Sequence, residues 1–169
     1  SLEIIECINF FNGNKKNKRL ETITHKLAAE LLFMNKKDLT MDSASKKILN
    51  VLDSGKASEK FEQMVAELGG PKNILSNYKK ILPASKYTED IFSDVSGYIE
   101  FISTRELGMI LIELGGGRKK VTDKIDYSVG YSNVVNVGDK VDTKTPLLTI
   151  HAKNNEDIKS IKTRIKNCF

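Results

Sequence analysis

The chain has 169 residues, of which 40% are hydrophobic and 29% charged, and a formal net charge of +5. That is room for one domain, or one domain plus a piece of another, with a buried core, and the balance reads as soluble and globular rather than disordered. No apolar run approaches the ~18 residues of a membrane helix and no signal pattern opens the chain, so a cytoplasmic setting without membrane contact is expected. The two cysteines, Cys7 and Cys168, lie near opposite ends and have no metal-type spacing. The basic residues come as scattered pairs, Lys36-Lys37, Lys46-Lys47, Lys79-Lys80 and Lys119-Lys120, among Asp38, Asp42, Asp53 and Glu59. A nucleic-acid binder concentrates its cations on one face, often with aromatics between them, so nucleic acid is not the expected partner. The chain begins at Ser1 rather than Met and runs straight into a helical pattern, as a cut fragment would.

The first half reads as helices. Leu2 to Gly13 places Ile4, Ile5, Ile8 and Phe11 at helical spacing, with Gly13 where a C-cap glycine belongs. Arg19 to Met34 carries one stripe, Leu20, Ile23, Leu27 and Leu31. Asp42 to Gly55 offers Asp42 and Ser43 as caps and Gly55 as a stop. Ser58 to Gly70 puts Phe61, Met64, Val65 and Leu68 on one face, and Asn73 to Leu82 is a short helix ended by Pro83. No strand is expected before residue 84.

After Pro83 the period changes. Asp90 to Ser103 mixes β-branched and aromatic residues around Gly97 and reads as strand, turn, strand. Ser103 to Leu114 is a helix with a buried stripe of Leu107, Ile110, Leu111 and Leu114. Ser103 and Glu106 fit a capping box, in which each side chain reaches the other's backbone N–H. Lys124 to Lys153 is a run of short strands with turn signals at Gly130, Gly138-Asp139 and Lys144-Thr145-Pro146. Asn154 to Phe169 closes the chain as a helix, capped by Asn154 or Asn155, with Glu156 and Asp157 in its first turn and cations later, as the macrodipole favours. The expected organisation is α+β, helical over 1–83 and mixed over 84–169, with no internal repeat.

The feature that raises a functional question is Gly115-Gly116-Gly117-Arg118-Lys119-Lys120. A phosphate loop leads into a helix N-terminus, where free N–H groups and the dipole meet the anion. Here a helix ends and a loop begins, so the glycines read first as a left-handed cap and turn. The basic tip keeps a second reading open, that it reaches an anion held by another part of a larger protein. Val137-Gly138-Asp139-Lys140-Val141 followed by Pro146-Leu147-Leu148 is the pattern of a biotinyl- or lipoyl-type half-barrel. Such carriers present a lysine on a Met-Lys hairpin. Here Lys153 stands one position early, Asn154 takes the lysine position and the hairpin pair is missing, so the strands are expected without the swinging arm. His25 and His151 are isolated, with no His or Cys partner at metal spacing, and no Ser or Cys stands in a nucleophile elbow. Both histidines read as solvated or hydrogen-bonded.

Taken together, these pieces resemble the C-terminal domain of thymidine phosphorylase and the related pyrimidine-nucleoside phosphorylases, the bacterial thymidine phosphorylases above all. The carriers of the resemblance are Gly97-Tyr98, Thr104-Arg105, Leu107-Gly108, Gly115-Gly116-Gly117-Arg118, Ile125-Asp126, Val129-Gly130, Val137-Gly138-Asp139 and Ile150-His151-Ala152. The helices of 1–83 resemble helices of the family's large α/β domain. The resemblance implies a helical layer from that domain followed by an α/β-hammerhead, barrel-sandwich-like C-terminal domain. It implies a homodimeric parent enzyme that converts thymidine and inorganic phosphate to thymine and 2-deoxyribose 1-phosphate without a cofactor. It also implies that the phosphate-holding Lys/Ser/Thr set, the base-holding Arg/Ser/Lys set and the family signature precede this stretch, since none of them is found in the sequence. No residue here is therefore expected to be catalytic, and the isolated chain is expected to be inactive and to require the N-terminal portion of the same enzyme as its partner. Gly115, Gly116, Gly117, Arg118 and Lys119 match a family loop near the substrate cleft that orders when the domains close. Some relatives hold an alkali-metal ion with a carboxylate just after the opening helix. This chain has Asn14-Lys15-Lys16-Asn17 there, so no metal is expected. The alternative reading is a carrier or interaction module without enzymatic activity.

Overall fold

The computed structural model describes every residue except 14–16 and 36–37. The Lys36-Lys37 pair and the Asn14-Lys15-Lys16 part of the stretch bearing on the metal therefore lie outside the described residues. The chain forms two compact units, one of Glu3–Ile81 and one of Ser1–Leu2 with Leu82–Phe169.

The first unit is helical: α1 (Leu2–Phe11, entered from the other unit at Leu2), α2 (Lys18–Asn35), α3 (Met41–Asp53), α4 (Lys56–Glu67) and α5 (Ile74–Ile81). Its ends follow from local chemistry. Gly13 takes φ of 72°, as a C-cap glycine must. Asn17 accepts from the backbone N–H of Arg19 and Leu20 at 3.0 and 3.2 Å and so caps α2. The cap of α3 is Thr40, not Asp42 or Ser43. Thr40 Oγ1 accepts from Ser43 N–H at 3.2 Å while Ser43 Oγ accepts from Thr40 N–H at 3.0 Å, a reciprocal box that sets the helix start two residues earlier. Asp42 is left to pair with Lys46 one turn on, at 2.7 Å. Gly55, at φ of 78°, both stops α3 and begins α4.

Apolar stripes in this unit are only partly covered. Ile8, Phe10, Ala29, Ala44 and Ile74 are buried, and Phe11 stacks against Phe61 with ring centroids 5.0 Å apart. The stripe of α2 faces outward instead: Leu27 is 60% and Leu31 68% exposed. α2 lies against α3 through its other face, where His25 Nε2 meets Ser45 Oγ at 3.2 Å. On α4, Met64 is 50% exposed, and just beyond it Leu68 is 80% exposed.

The second unit holds all five strands: β1 (Tyr87–Phe92), β2 (Gly97–Tyr98), β3 (Gly130–Ser132), β4 (Lys140–Val141) and β5 (Pro146–Ala152), with α6 (Thr104–Glu113) and α7 (Asn155–Lys166). Of the strand, turn, strand expected over 90–103, the first strand spans Tyr87–Phe92 and the second is only Gly97–Tyr98, with Gly97 inside it rather than at the turn, and the two do not pair with each other. β1 lies antiparallel to β5, which lies antiparallel to β3, and β2 pairs separately with β4. The period-2 alternation of β5 then decides the core. Leu148, Ile150 and Ala152 point to one face and pack with Ile91 of β1, with Leu107 and Ile110 of α6 and its C-cap Leu114, and with Ile158, Ile161 and Ile165 of α7. The opposite-pointing Leu147 joins Ile99 and Val141 beside the small sheet. Fully burying each such Ile or Leu is worth about 1.5–3 kcal/mol. The architecture is α+β. Gly130 opens β3 rather than making a turn. Its φ is 155°, and a Cβ there would stand 2.8 Å from the tip of Leu2, so backbone conformation and a close approach, not a reversal, go with the glycine.

Candidate functional site

The glycine loop begins as a helix stop. Gly115 N–H donates to Ile112 O at 3.0 Å and Gly116 N–H to Leu111 O at 2.9 Å, with Gly115 at φ of 95°. This double bond pattern around a left-handed residue satisfies the last carbonyls of α6. Gly116 is a packing glycine, because a Cβ would meet Leu111 Cδ1 at 2.6 Å and Val129 Cγ2 at 3.2 Å. The chain then leaves and returns. Asp126 N–H donates to Gly115 O at 2.9 Å, so the two roots of the loop are hydrogen-bonded to each other. Asp126 also accepts from Ser128 N–H and Ser128 Oγ, at 2.9 and 2.6 Å, and these bonds hold its carboxyl below the usual carboxylate range.

Arg118, Lys119 and Lys120 form the exposed tip. The backbone donors of this tip converge on a carboxylate of the same loop. Asp123 Oδ2 accepts from Lys119 N–H at 3.0 Å and from Lys120 N–H at 2.9 Å. The loop is thus a cap and turn whose two N–H groups are aimed at an anion of its own chain. Sequence reasoning singled out the cations and passed over Asp123, whose signal is an acid three and four residues after the two lysines.

The helix that leads into the loop is itself anchored. Arg164 of α7 donates to Glu113 at 2.6 and 3.3 Å through two nitrogens and to Glu106 at 2.7 Å. Glu113 is the last residue of α6, and its pairing with Arg164 keeps its carboxyl below the usual range. Glu106 therefore does not complete the expected capping box. The N–H of Ser103 is already given to Cys168 O at 2.7 Å, and Ser103 makes no side-chain cap bond.

His151, in β5, is half-buried between two hydroxyls: Ser132 Oγ lies 2.7 Å from Nε2 and Ser85 Oγ 3.3 Å from Nδ1. Burial pushes its pKa below the ordinary imidazole value, and the nearby Asp90 opposes the shift. Lys153 follows β5 directly, and Asn154 Oδ1 then caps α7 by accepting from Asp157 N–H at 2.8 Å. A helix, not a lysine-bearing hairpin, follows the strand. Both cysteines are free thiols. Among the described residues no group of three or more His, Cys, Asp or Glu side chains is gathered as a metal site requires, and no helix is long and apolar enough to cross a membrane.

The structure thus places Gly115, Gly116, Gly117, Arg118 and Lys119 in one closed surface loop of the second unit. Residues 98–169, which include this loop and the strands behind it, match the family model of the pyrimidine nucleoside phosphorylase C-terminal domain.

Proposed function

We propose that this chain, whose residues 98–169 match the pyrimidine nucleoside phosphorylase C-terminal domain, is the C-terminal part of an enzyme that phosphorolyses thymidine. In that reaction phosphate attacks the anomeric carbon as the C–N bond to the base breaks, giving thymine and 2-deoxyribose 1-phosphate. Catalysis of this kind rests on electrostatic stabilisation of the departing base and on holding the phosphate in line. The observation that carries the reading is the family match over 98–169. In this reading the architecture around β2, β4 and β5 is the family's hammerhead and barrel-sandwich arrangement, and residues 1–83 contribute helices to its large α/β domain. The parent enzyme is a cytoplasmic homodimer that uses inorganic phosphate as co-substrate and needs no cofactor.

The helical unit supports the need for a partner. Leu27, Leu31, Met34 and Leu68 are each at least 60% exposed, and Leu27, Leu31 and Met34 follow one another at helical spacing along α2. A groove of about 690 Å³ lined by Phe11, Val51, Phe61 and Met64 opens on the same unit. The N-terminal portion of the same enzyme is the occupant proposed for these surfaces. The chain by itself is then inactive, because it carries neither the phosphate-holding nor the base-holding set.

The Gly115–Lys119 loop is read as a cleft element that shields bound substrate once the domains close, with Arg118 as its anchor. In a full-length enzyme, Arg118→Ala is expected to raise the Michaelis constant or lower turnover. Unchanged values of both would remove this role. Comparing thymidine with uridine in the same enzyme tests the choice of substrate, and equal kcat/KM for the two would replace thymidine with pyrimidine nucleosides in general.

A further inference from the structure

We propose that the loop from Arg118 to Asp123 is an oxyanion site held shut by its own Asp123, and that a phosphate dianion is the ligand that displaces it. The chemistry of the cradle is on hand in the geometry. Two adjacent backbone N–H groups, of Lys119 and Lys120, converge on one carboxylate oxygen at 3.0 and 2.9 Å, and Asp123 N–H turns back to Lys120 O at 3.0 Å. Consecutive N–H groups aimed at one point are the donor set that binds phosphate in other folds.

The charge around the cradle exceeds what one carboxylate neutralises. Arg118, Lys119, Lys120 and Lys124 flank Asp123 in the sequence, and with Asp126 the stretch 118–126 holds four cations and two anions, a formal charge of +2. Among the described residues none of these four cations forms an ion pair, a condition they share with most other Lys and Arg side chains. A dianion with several acceptor oxygens can take both N–H donors and also meet side-chain cations, which a single carboxylate oxygen cannot. Asp123 is a competitor rather than a ligand, since its charge repels the anion that would take its place.

This proposal rests on the reading of the loop as a cleft element for its place in the enzyme. There it makes loop closure responsive to phosphate: Asp123 is released as the dianion enters. The test uses only this chain, so failure of the proposal and failure of the thymidine reading are separate results. Backbone amide resonances of the ¹⁵N-labelled chain are followed as inorganic phosphate is added at pH 7.5, with sodium chloride at matched ionic strength as control. In Asp123→Ala the Lys119 and Lys120 amides are expected to shift saturably with phosphate, at an apparent Kd about ten-fold below that of the unaltered chain, a change of about 1.4 kcal/mol. Asp123→Asn, which keeps an acceptor but not the charge, is expected to fall between them, and it carries the test if the alanine variant loses the loop's fold. Replacing Arg118, Lys119 and Lys120 together by Gln is expected to abolish the shift. The proposal is overturned if phosphate moves these amides no more than chloride does, if the affinity is the same with and without the Asp123 carboxylate, or if the shift survives loss of the three cations.

Discussion

The guanidinium of Arg164 and the carboxylate of Glu113 meet through two hydrogen bonds, at 2.6 and 3.3 Å, and this pair joins α7 to the residue where α6 gives way to the glycine loop. A third bond, at 2.7 Å, ties the same guanidinium to Glu106, two turns earlier on the same face of α6. Planar fork geometry, rather than charge alone, allows one side chain to serve two carboxylates. Arg164→Gln is expected to lower the thermal midpoint by a few degrees, and Arg164→Lys to recover little of it. The pair is solvated, so the difference should shrink as salt is added. Melting curves at low and high sodium chloride check both statements.

Gly115 and Gly116 fail differently when a methyl group is added. Gly115→Ala places an L-residue at φ of 95° and is expected to cost about 1–2 kcal/mol from backbone strain. Gly116→Ala drives a Cβ against Leu111 with Val129 behind it, and overpacking of this kind costs about 1–3 kcal/mol. Urea denaturation measures both. Truncating Leu111 to Ala should rescue part of the second loss and none of the first.

The two caps of the C-terminal unit offer an internal comparison. Asn154→Ala removes a side-chain acceptor 2.8 Å from Asp157 N–H and is expected to cost about 1 kcal/mol. Ser103→Ala removes no cap bond and is expected to stay within about 0.5 kcal/mol of the parent. Equal losses at the two positions would contradict the hydrogen-bond assignment.

These caps also show where sequence was enough. Asn154, the acids Glu156 and Asp157 in the first turn and the cations in the last specify α7 by local rules alone, and α7 forms as those rules require. Ser103 and Glu106 obey the same local rules, yet each is claimed from a distance, one by Cys168 O and the other by Arg164. No local pattern announces a partner some sixty residues away. The strands were legible as strands, but β5 is the centre of the larger sheet because of long-range pairing with β1 and β3, which periodicity does not encode. The stripe of α2 was legible too, and only the structure reveals that it is left open. At the loop, the glycines and cations were visible in the sequence, while Asp123 became a cradle occupant only once the backbone was folded around it.

His151 gives the C-terminal unit a pH dependence of predictable sign. Burial lowers its folded-state pKa beneath the ordinary value of 6.5, so the unfolded chain binds the proton more readily. The neutral ring's contribution is therefore complete above about pH 6.5, the unfolded value, and is lost as the pH falls through the lowered folded value. Urea midpoints taken from pH 7.5 down to 5.0 should decline, and His151→Gln should flatten that decline. The depressed carboxyl of Asp126 acts in the same direction, but its contribution is complete above the ordinary Asp value of about 3.9 and is lost only below it, so the two contributions separate along the pH axis.

The most direct test of the central claim is release of thymine from thymidine and phosphate, followed for the purified 169-residue chain alone and after addition of the N-terminal portion of the same enzyme. The account predicts no release by the chain alone and restored release by the two parts together. Release by the chain alone would contradict it, place an active site among the residues described here, and make Arg118, Lys119 and His151 the first to replace.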